Sequence, residues 1–438
     1  MRPPKNRPAK ASCGCQDKVE EGRGTRGEGR AIPNAANSPL ATRHSPLPMR
    51  FPDRHSVMRR AFELAACGQG FVEPNPMVGA VLVDESLSLL GEGFHPQFGG
   101  PHAEVEAIRD AERRRRKKKL KDATLFVSLE PCCHFGKTPP CTQAILEAGI
   151  RKVVVGRTDP NPQVAGGGIA ELRAAGVEVE FGMLEAEAKR LTAPFAKRVT
   201  TGLPWVIAKW AMSWDGKIAT GSGDSKWISN EASRAVVHQL RGRMDAIVVG
   251  AETARRDDPL LTARPAGARV ATRVVLDSFA SLRTDSQLVR TANESPLLIL
   301  AGPDAPTENV ARLRASGAEV CVLGVEADQT SAPATVKDLK RIRPVEPHAV
   351  LAELGRRGMT NILIEGGAVI LGAFADLDFI DEVQVFIGSK LIGGQTAPGP
   401  VAGHGCDPLS KARSIDDLQV EVLDGDVHLS GHVRGHSW

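Results

Sequence analysis

Apolar residues beginning just after Asp53 fall at Val57, Met58, Ala61, Phe62, Leu64 and Ala65, the three-to-four spacing of a helix with one buried face. The chain then turns at Pro74-Asn75-Pro76 and enters an apolar run over 78–83 that predicts a strand. A helix opens near Pro101-His102, and a strand over 124–129 ends at a Pro131-Cys132 turn. A helix over 142–148, a strand over 152–156, a helix around 169–175 and a strand over 177–181 follow. Short strands alternating with helices predict an α/β fold.

The segment Thr200-Thr201-Gly202-Leu203-Pro204 reads as a boundary, after which a second series of strands begins at 205–210. Further strands are expected at 246–249, 273–276, 297–300, 361–364 and 383–387, with a helix over 230–241 and another running through Phe374. The Pro-, Thr- and charge-rich stretch 326–348 reads as an inserted loop. No internal repeat is evident. A chain of 438 residues exceeds one ordinary core, so two domains are expected, at 53–197 and 203–438.

Composition narrows the partners. No apolar run approaches the roughly 18 residues that read as a membrane span, so no membrane partner is expected. A net charge of +4 is small for this length, and with 4% aromatic residues and no Tyr there is little with which to stack bases. The seven consecutive cations at 113–119 therefore read as a solvated helix end rather than as a nucleic-acid patch. Residues 1–52 are rich in Pro, Gly, Arg and Ser without apolar periodicity, and read as a disordered extension lacking a signal peptide. Asp17, Glu20, Glu21 and Glu28 argue against a transit peptide, and Cys13-Gly14-Cys15 reads as an incidental pair. Cysteines crowded at 132, 133 and 141, with the others scattered, indicate metal ligation in a reducing, cytoplasmic setting and not a disulfide framework.

The chemistry concentrates in His102-Ala103-Glu104 and in Pro131-Cys132, with Cys141 nine positions beyond Cys132. One imidazole and two thiols supply three ligands to one zinc ion and leave the fourth tetrahedral position for water. Glu104, close to the ligand His102, is suited to moving protons. His-x-Glu followed by Pro-Cys is the signature of zinc nucleobase deaminases. Cys133 is assigned to packing, because Cys132 is the thiol that directly follows Pro131. Asn75, held between two prolines, displays an amide that could read a pyrimidine edge or simply close a turn. His95, His134 and Lys137 surround the metal loop, and the last two could meet a substrate phosphate or remain solvated.

Taken together, Pro74-Asn75-Pro76-Met77-Val78-Gly79, Pro101-His102-Ala103-Glu104, the long loop 132–141 and Asp159-Pro160-Asn161-Pro162 resemble the bifunctional deaminase-reductase family of riboflavin biosynthesis. The second half carries matching features: 210–217, 225–229, Gly250-Ala251-Glu252-Thr253, 257–264, Asp277-Ser278 and Glu365-Gly366-Gly367. The resemblance implies a cytidine-deaminase-like zinc domain followed by a dihydrofolate-reductase-like domain that uses NADPH. It implies that Ala211, Trp227, Thr253, Asp257 and Ser278 face that cofactor, together with Gly367, Ala368, Val369, Ile370, Leu371, Gly372 and Ala373. Ser225, Arg241, Leu260, Arg264 and Glu365 would face the substrate, a phosphorylated pyrimidine, in a homo-oligomeric enzyme. Arg241 and Arg264 suit a ribose phosphate, since guanidinium forks bind it bidentately. Trp214 stands where the family often has a smaller aliphatic residue and Cys133 where it usually has Ser, which puts the reductase pocket in question but removes no ligand. Two competing expectations are a deaminase of free nucleotides whose second half has acquired another substrate, and an RNA-binding protein with a structural zinc. The second conflicts with the open ligand position, because structural zinc is normally closed by four protein ligands.

Overall fold

The computed structural model describes residues 49–115, 120–324 and 344–435. Most of the N-terminal extension, the end of the cationic run and most of the 326–348 stretch lie outside them. Of the stretch expected to be an extension, Met49 and Phe51 already belong to the folded lobe: Phe51 is buried and Leu89 donates its N–H to the Met49 carbonyl.

The first lobe opens with α1 (Arg54–Ala66), started by Asp53, whose side chain accepts the Ser56 N–H at 2.7 Å. It continues through β1 (Gly79–Val83), β2 (Leu89–Phe94), α2 (Ala103–Arg115), β3 (Thr124–Leu129) and α3 (Cys141–Glu147). Then come β4 (Lys152–Arg157), α4 (Gly167–Ala174), β5 (Glu178–Phe181) and α5 (Glu185–Thr201). The sheet order is β2-β1-β3-β4-β5, with β1 antiparallel to both neighbours and β3, β4 and β5 parallel. Side chains of β1 alternate between two cores: Ala80 and Leu82 join the α2 side, Val81 and Val83 the α1 side. β2 escapes a reading by pattern because Gly91 and Gly93 interrupt it. A Cβ on Gly91 would lie 2.4 Å from the Ala107 carbonyl of α2, so strand propensity gives way there to close helix packing.

The expected boundary at 200–204 is the end of α5, capped by Gly202 in the left-handed region, and no free linker separates the lobes. Lys197 on α5 donates to Asp381 Oδ2 at 2.5 Å, both side chains being almost fully buried.

The second lobe runs β6 (Trp205–Ser213), α6 (Glu231–Arg241), β7 (Ala246–Gly250), α7 (Ala251–Asp257), β8 (Thr272–Leu276) and α8 (Gln287–Arg290). It continues with β9 (Leu297–Ala301), α9 (Thr307–Ala315), β10 (Glu319–Val322), α10 (Pro347–Arg356), β11 (Asn361–Glu365), α11 (Ala368–Asp376) and β12 (Glu382–Gly388). A terminal hairpin, β13 (Ile415–Leu423) and β14 (Asp426–Val433), completes it. The inserted stretch therefore ends before residue 348, since Pro347 and His348 already belong to α10.

The nine strands run β10-β9-β8-β7-β11-β6-β12-β14-β13, parallel as far as β12 and antiparallel across the hairpin. Continuous apolar strands such as β7, β9 and β11 fit a sheet covered on both faces. Val237, Leu240 and Leu313 cover one face; Leu351, Leu354 and Phe374 cover the other. Among the described residues no helix is long and apolar enough to cross a membrane.

Candidate functional site

Two cavities hold the chemically distinctive residues. In the first lobe His102 sits immediately before α2, Glu104 lies in its first turn, Cys132 follows β3, and Cys141 opens α3. This brings a ligand atom from each of His102, Cys132 and Cys141 within 4.8 Å of the others. His102 Nδ1 lies 3.2 Å from Cys141 Sγ and 3.5 Å from Cys132 Sγ. The Cys141 thiol and the His102 ring beside Cys132 push its thiol down to about 4, a thiolate at neutral pH. A compact thiolate–imidazole set with a buried second thiol fits a zinc ion.

Glu104 is buried, at 3% exposure, and burial raises its carboxyl above the ordinary range, as a group that must both take and return a proton requires. Cys133 falls outside the cluster, its sulfur lying against Gly167.

The cavity beside the cluster has a volume of about 280 Å³ and is lined by Asn75, His95, His134 and Lys137, all four expected there. His95 Nδ1 lies 2.9 Å from the Pro101 carbonyl, which can only accept, so Nδ1 carries the proton. Nε2 is then the acceptor for Asn75 Nδ2 at 3.2 Å. Lys137 Nζ rests 3.8 Å above the Phe98 ring. Glu130 was not singled out from sequence, yet it organises the wall: its carboxylate accepts the N–H groups of Asp159, Gly166 and Ile169 at 2.9–3.0 Å. No periodicity marks it, because its partners lie at least 29 residues away. Arg113 and Arg114 pair with Asp110, as a solvated helix end does.

In the second lobe a cavity of about 620 Å³ opens at the carboxyl ends of β6, β7 and β11. Ser225, Arg241, Leu260, Arg264 and Glu365 line it, with Ala211, Trp227, Thr253, Asp257, Gly367 and Leu371. Parallel pairing sets Glu365 of β11 opposite Lys209 of β6. Arg241 Nε and Nη2 donate to Glu365, at 2.6 and 2.8 Å, and Lys209 Nζ stands 3.9 Å away. Burial pushes Glu365 up, but Arg241 and Lys209 outweigh it and hold the carboxyl below its usual value. Burial lowers the proton affinity of Lys209.

Residues 52–157 match the cytidine and deoxycytidylate deaminase zinc-binding region, and residues 204–429 match the RibD C-terminal domain. The riboflavin biosynthesis protein RibD of Actinobacillus pleuropneumoniae is 38% identical over 372 residues, 85% of this chain and 93% of that protein. The chain belongs to the RibD family. A solved structure of Acinetobacter baumannii RibD shares 33% identity with a TM-score of 0.70, covering 87% of this chain and 99% of that one. A Thermotoga maritima structure described as a diaminohydroxyphosphoribosylaminopyrimidine deaminase/5-amino-6-(5-phosphoribosylamino)uracil reductase shares 35% identity at a TM-score of 0.70, covering 86% and 98%. Like its relatives, the chain is a bifunctional enzyme of riboflavin biosynthesis, a zinc-binding-type deaminase lobe followed by a RibD reductase lobe.

Against the residues that family resemblance implied, the second cavity is selective. Of α11, Leu371 lines it, just beyond Gly367; Gly372 packs on the Ala402 carbonyl, Ile370 points at Gly250, and Val369 is exposed. Ala368 and Ala373 do not line it either, since a helix turns one face at a time to a cavity. Ser278 lies off the cavity, where its hydroxyl accepts the Val345 N–H at 3.3 Å. Arg241 lines the cavity, but its fork is committed to Glu365; Arg264 is an exposed guanidinium at the cavity, as is Arg256, which pairs with Glu252. Trp214 is exposed and does not line the cavity. Lys209 was missed because, read along the chain, it is one lysine inside an apolar strand; only pairing with β11 gives it a partner.

Proposed function

We propose that the first lobe removes the 2-amino group of 2,5-diamino-6-ribosylamino-4(3H)-pyrimidinone 5′-phosphate, and that the second reduces the ribosyl group of the product to ribityl with NADPH. The observation that carries this is the pairing, in one chain, of a His102-Cys132-Cys141 cluster beside buried Glu104 with a second cavity holding Arg264 and a buried Glu365 flanked by the largely buried Lys209 and Arg241.

His102, Cys132 and Cys141 would hold one zinc ion, which when bound activates a water toward the amine-bearing ring carbon. Glu104 takes one water proton and gives it to the ring nitrogen, then takes the second from the hydroxyl newly bound to the ring carbon and gives it to the amino group, which leaves as ammonia while the carbonyl forms. Its burial keeps these protons out of bulk solvent. Asn75, its amide braced by His95, meets the ring edge, and Lys137 with His134 meets the phosphate.

In the second lobe Ala211, Trp227, Thr253, Asp257 and Gly367 would hold NADPH, which supplies hydride to C1 of the opened ribose. Gly366 and Gly367, both in the left-handed region, let the turn before α11 bring its backbone N–H groups toward a pyrophosphate. Arg264 binds the substrate phosphate. Lys209, largely buried and with its proton affinity lowered by that burial, would give a proton to the nitrogen left electron-rich on C1, with Glu365 and Arg241 fixing its surroundings.

A small-molecule substrate is favoured over nucleic acid, and the free thiols among the described residues favour a reducing cytoplasm. Assembly into a homo-oligomer agrees with the open sheet edge, where β13 exposes Leu418, Val420 and Val422.

The test is a coupled assay on the diaminopyrimidinone phosphate that follows ammonia release and NADPH oxidation together. Zinc-loaded protein should give both signals. Zinc-loaded protein that releases no ammonia refutes the deaminase reading, and no NADPH oxidation with the deaminated pyrimidine refutes the reductase one.

A further inference from the structure

The segment that carries Asn75 into the first cavity is held in place from the second lobe. Between α1 and β1 the chain passes through 68–76, a series of short turns in which Phe71 and Val72 donate to the Gly68 carbonyl and Asn75 donates to the Val72 carbonyl. Arg269, in the loop before β8, reaches across to this segment. Its Nε donates to the Gly70 carbonyl at 2.7 Å and its Nη2 to the Glu73 carbonyl at 2.5 Å. Its Nη1 is paired with Asp245, whose other oxygen accepts the Thr360 and Asn361 N–H groups at 2.9 Å.

Neighbouring contacts add to the clamp. Arg243 Nη1 donates to Gln69 Oε1 at 2.8 Å, and Glu73, itself buried, takes the Gly70 N–H at 3.0 Å and meets Asn361 Nδ2 at 3.4 Å. The approach is tight: Gly70 has φ +85°, and a Cβ there would stand 2.8 Å from the Arg243 Cβ.

Two residues beyond the clamped Glu73 carbonyl stands Asn75. Its amide donates to His95 Nε2, and His95 in turn is fixed by the carbonyl of Pro101, the residue before His102. A planar guanidinium locked on one side by Asp245 can hold two carbonyls at a set separation, whereas a lysine ammonium has no such fork. Arg269 lines neither cavity.

We propose that Arg269 of the reductase lobe is a positioning residue for the deaminase site: it fixes the Gly70–Glu73 turn and so sets where Asn75, braced by His95, presents its amide to the pyrimidine. The two lobes are then one catalytic unit for deamination, although no residue of the second lobe touches that substrate. The inference rests on the deaminase reading and on Asn75 meeting the ring.

The test uses full-length, zinc-loaded enzyme. Arg269→Met should raise the deaminase KM roughly tenfold or more, the loss of a charge-assisted pair of hydrogen bonds, while kcat changes far less. Zinc content and reductase turnover on the deaminated pyrimidine should stay at the wild-type level, and amide exchange over 68–76 should quicken. In an Asn75→Ala background the same substitution should add nothing, because its effect runs through that amide. Should Arg269→Met fail to fold, Arg269→Gln keeps one donor group and should raise KM by a smaller factor. An unchanged deaminase KM in whichever of the two folds overturns the proposal. So does an equal loss of both activities, or full additivity with Asn75→Ala. A wild-type enzyme that releases no ammonia would instead refute the deaminase reading itself, so the two failures are distinct.

Discussion

The two cavities solve opposite problems. The first is small and assembled from side chains that are buried or spoken for before any ligand arrives: Cys141 and Glu104 are buried, His95 has both ring nitrogens engaged, and Glu130 accepts three backbone N–H groups. The second has over twice the volume, and Trp227 and Arg264 stand exposed at it while its buried carboxylate, Glu365, is already paired with Arg241 and has Lys209 beside it. Hydrolysis at a ring carbon needs a few atoms held within tenths of an ångström. Hydride transfer between two large, flexible molecules needs room for both and charge at their ends. The difference teaches that chemistry in the first lobe depends on individual atoms, and in the second on the shape and charge of the cavity.

The largest effect should come from Glu104→Gln, which keeps shape but removes the proton carrier. Ammonia release should fall roughly a hundredfold to ten-thousandfold, with NADPH oxidation on the deaminated pyrimidine unchanged. Deaminase activity within a few-fold of wild type would break the contrast at its root. Metal removal comes next: dialysis against a chelator should abolish ammonia release and leave reductase turnover on supplied product, and Cys132→Ser should copurify with markedly less zinc. Loss of both activities on chelation would show that the lobes do not differ in this way.

Arg264→Ala should raise the reductase KM for the phosphorylated substrate by about tenfold, with little change in kcat, since only an exposed phosphate contact is lost. An unaltered KM removes Arg264 from the site. A subtler expectation concerns acid. Because Glu365 is held below its ordinary value, its ion pair with Arg241 contributes stability in full above the unfolded glutamate value of about 4.3, and loses it as pH falls through the lowered folded value. Urea midpoints of Glu365→Gln should therefore fall less between pH 6 and pH 3 than those of wild type, an outcome reversed if burial alone governed this carboxyl. The smallest effect belongs to Cys133→Ser, which should leave zinc content unchanged and ammonia release within about twofold, as expected of a side chain outside the cluster.

How much of this was legible along the chain follows from distance. His102 and Glu104 are two residues apart at the mouth of α2, and Cys132 and Cys141 flank one loop, so residue type and spacing alone nominate them. The alternation of apolar strands and amphipathic helices made the α/β class readable, as each element buries its own stripe. The hairpin of β13 and β14 gave no such signal, because β13 is exposed along most of its length and alternates against no core.

Sequence by itself therefore nominated His102, Cys132 and Cys141 as a candidate metal-binding set and Glu104 as the candidate base, and gave the α/β class and the resemblance to a deaminase-reductase family, all of which rest on local spacing. Tertiary structure decided what lies opposite what. Strand register set Glu365 beside Lys209, helix rotation turned Gly372 and Ala373 away from the cavity, and lobe packing brought Arg269 to the Glu73 carbonyl 196 residues away. The physical reason is that a charge buried between strands or lobes is stable only with a partner, and that partner is chosen by which surfaces pack together, which no short stretch of chain encodes.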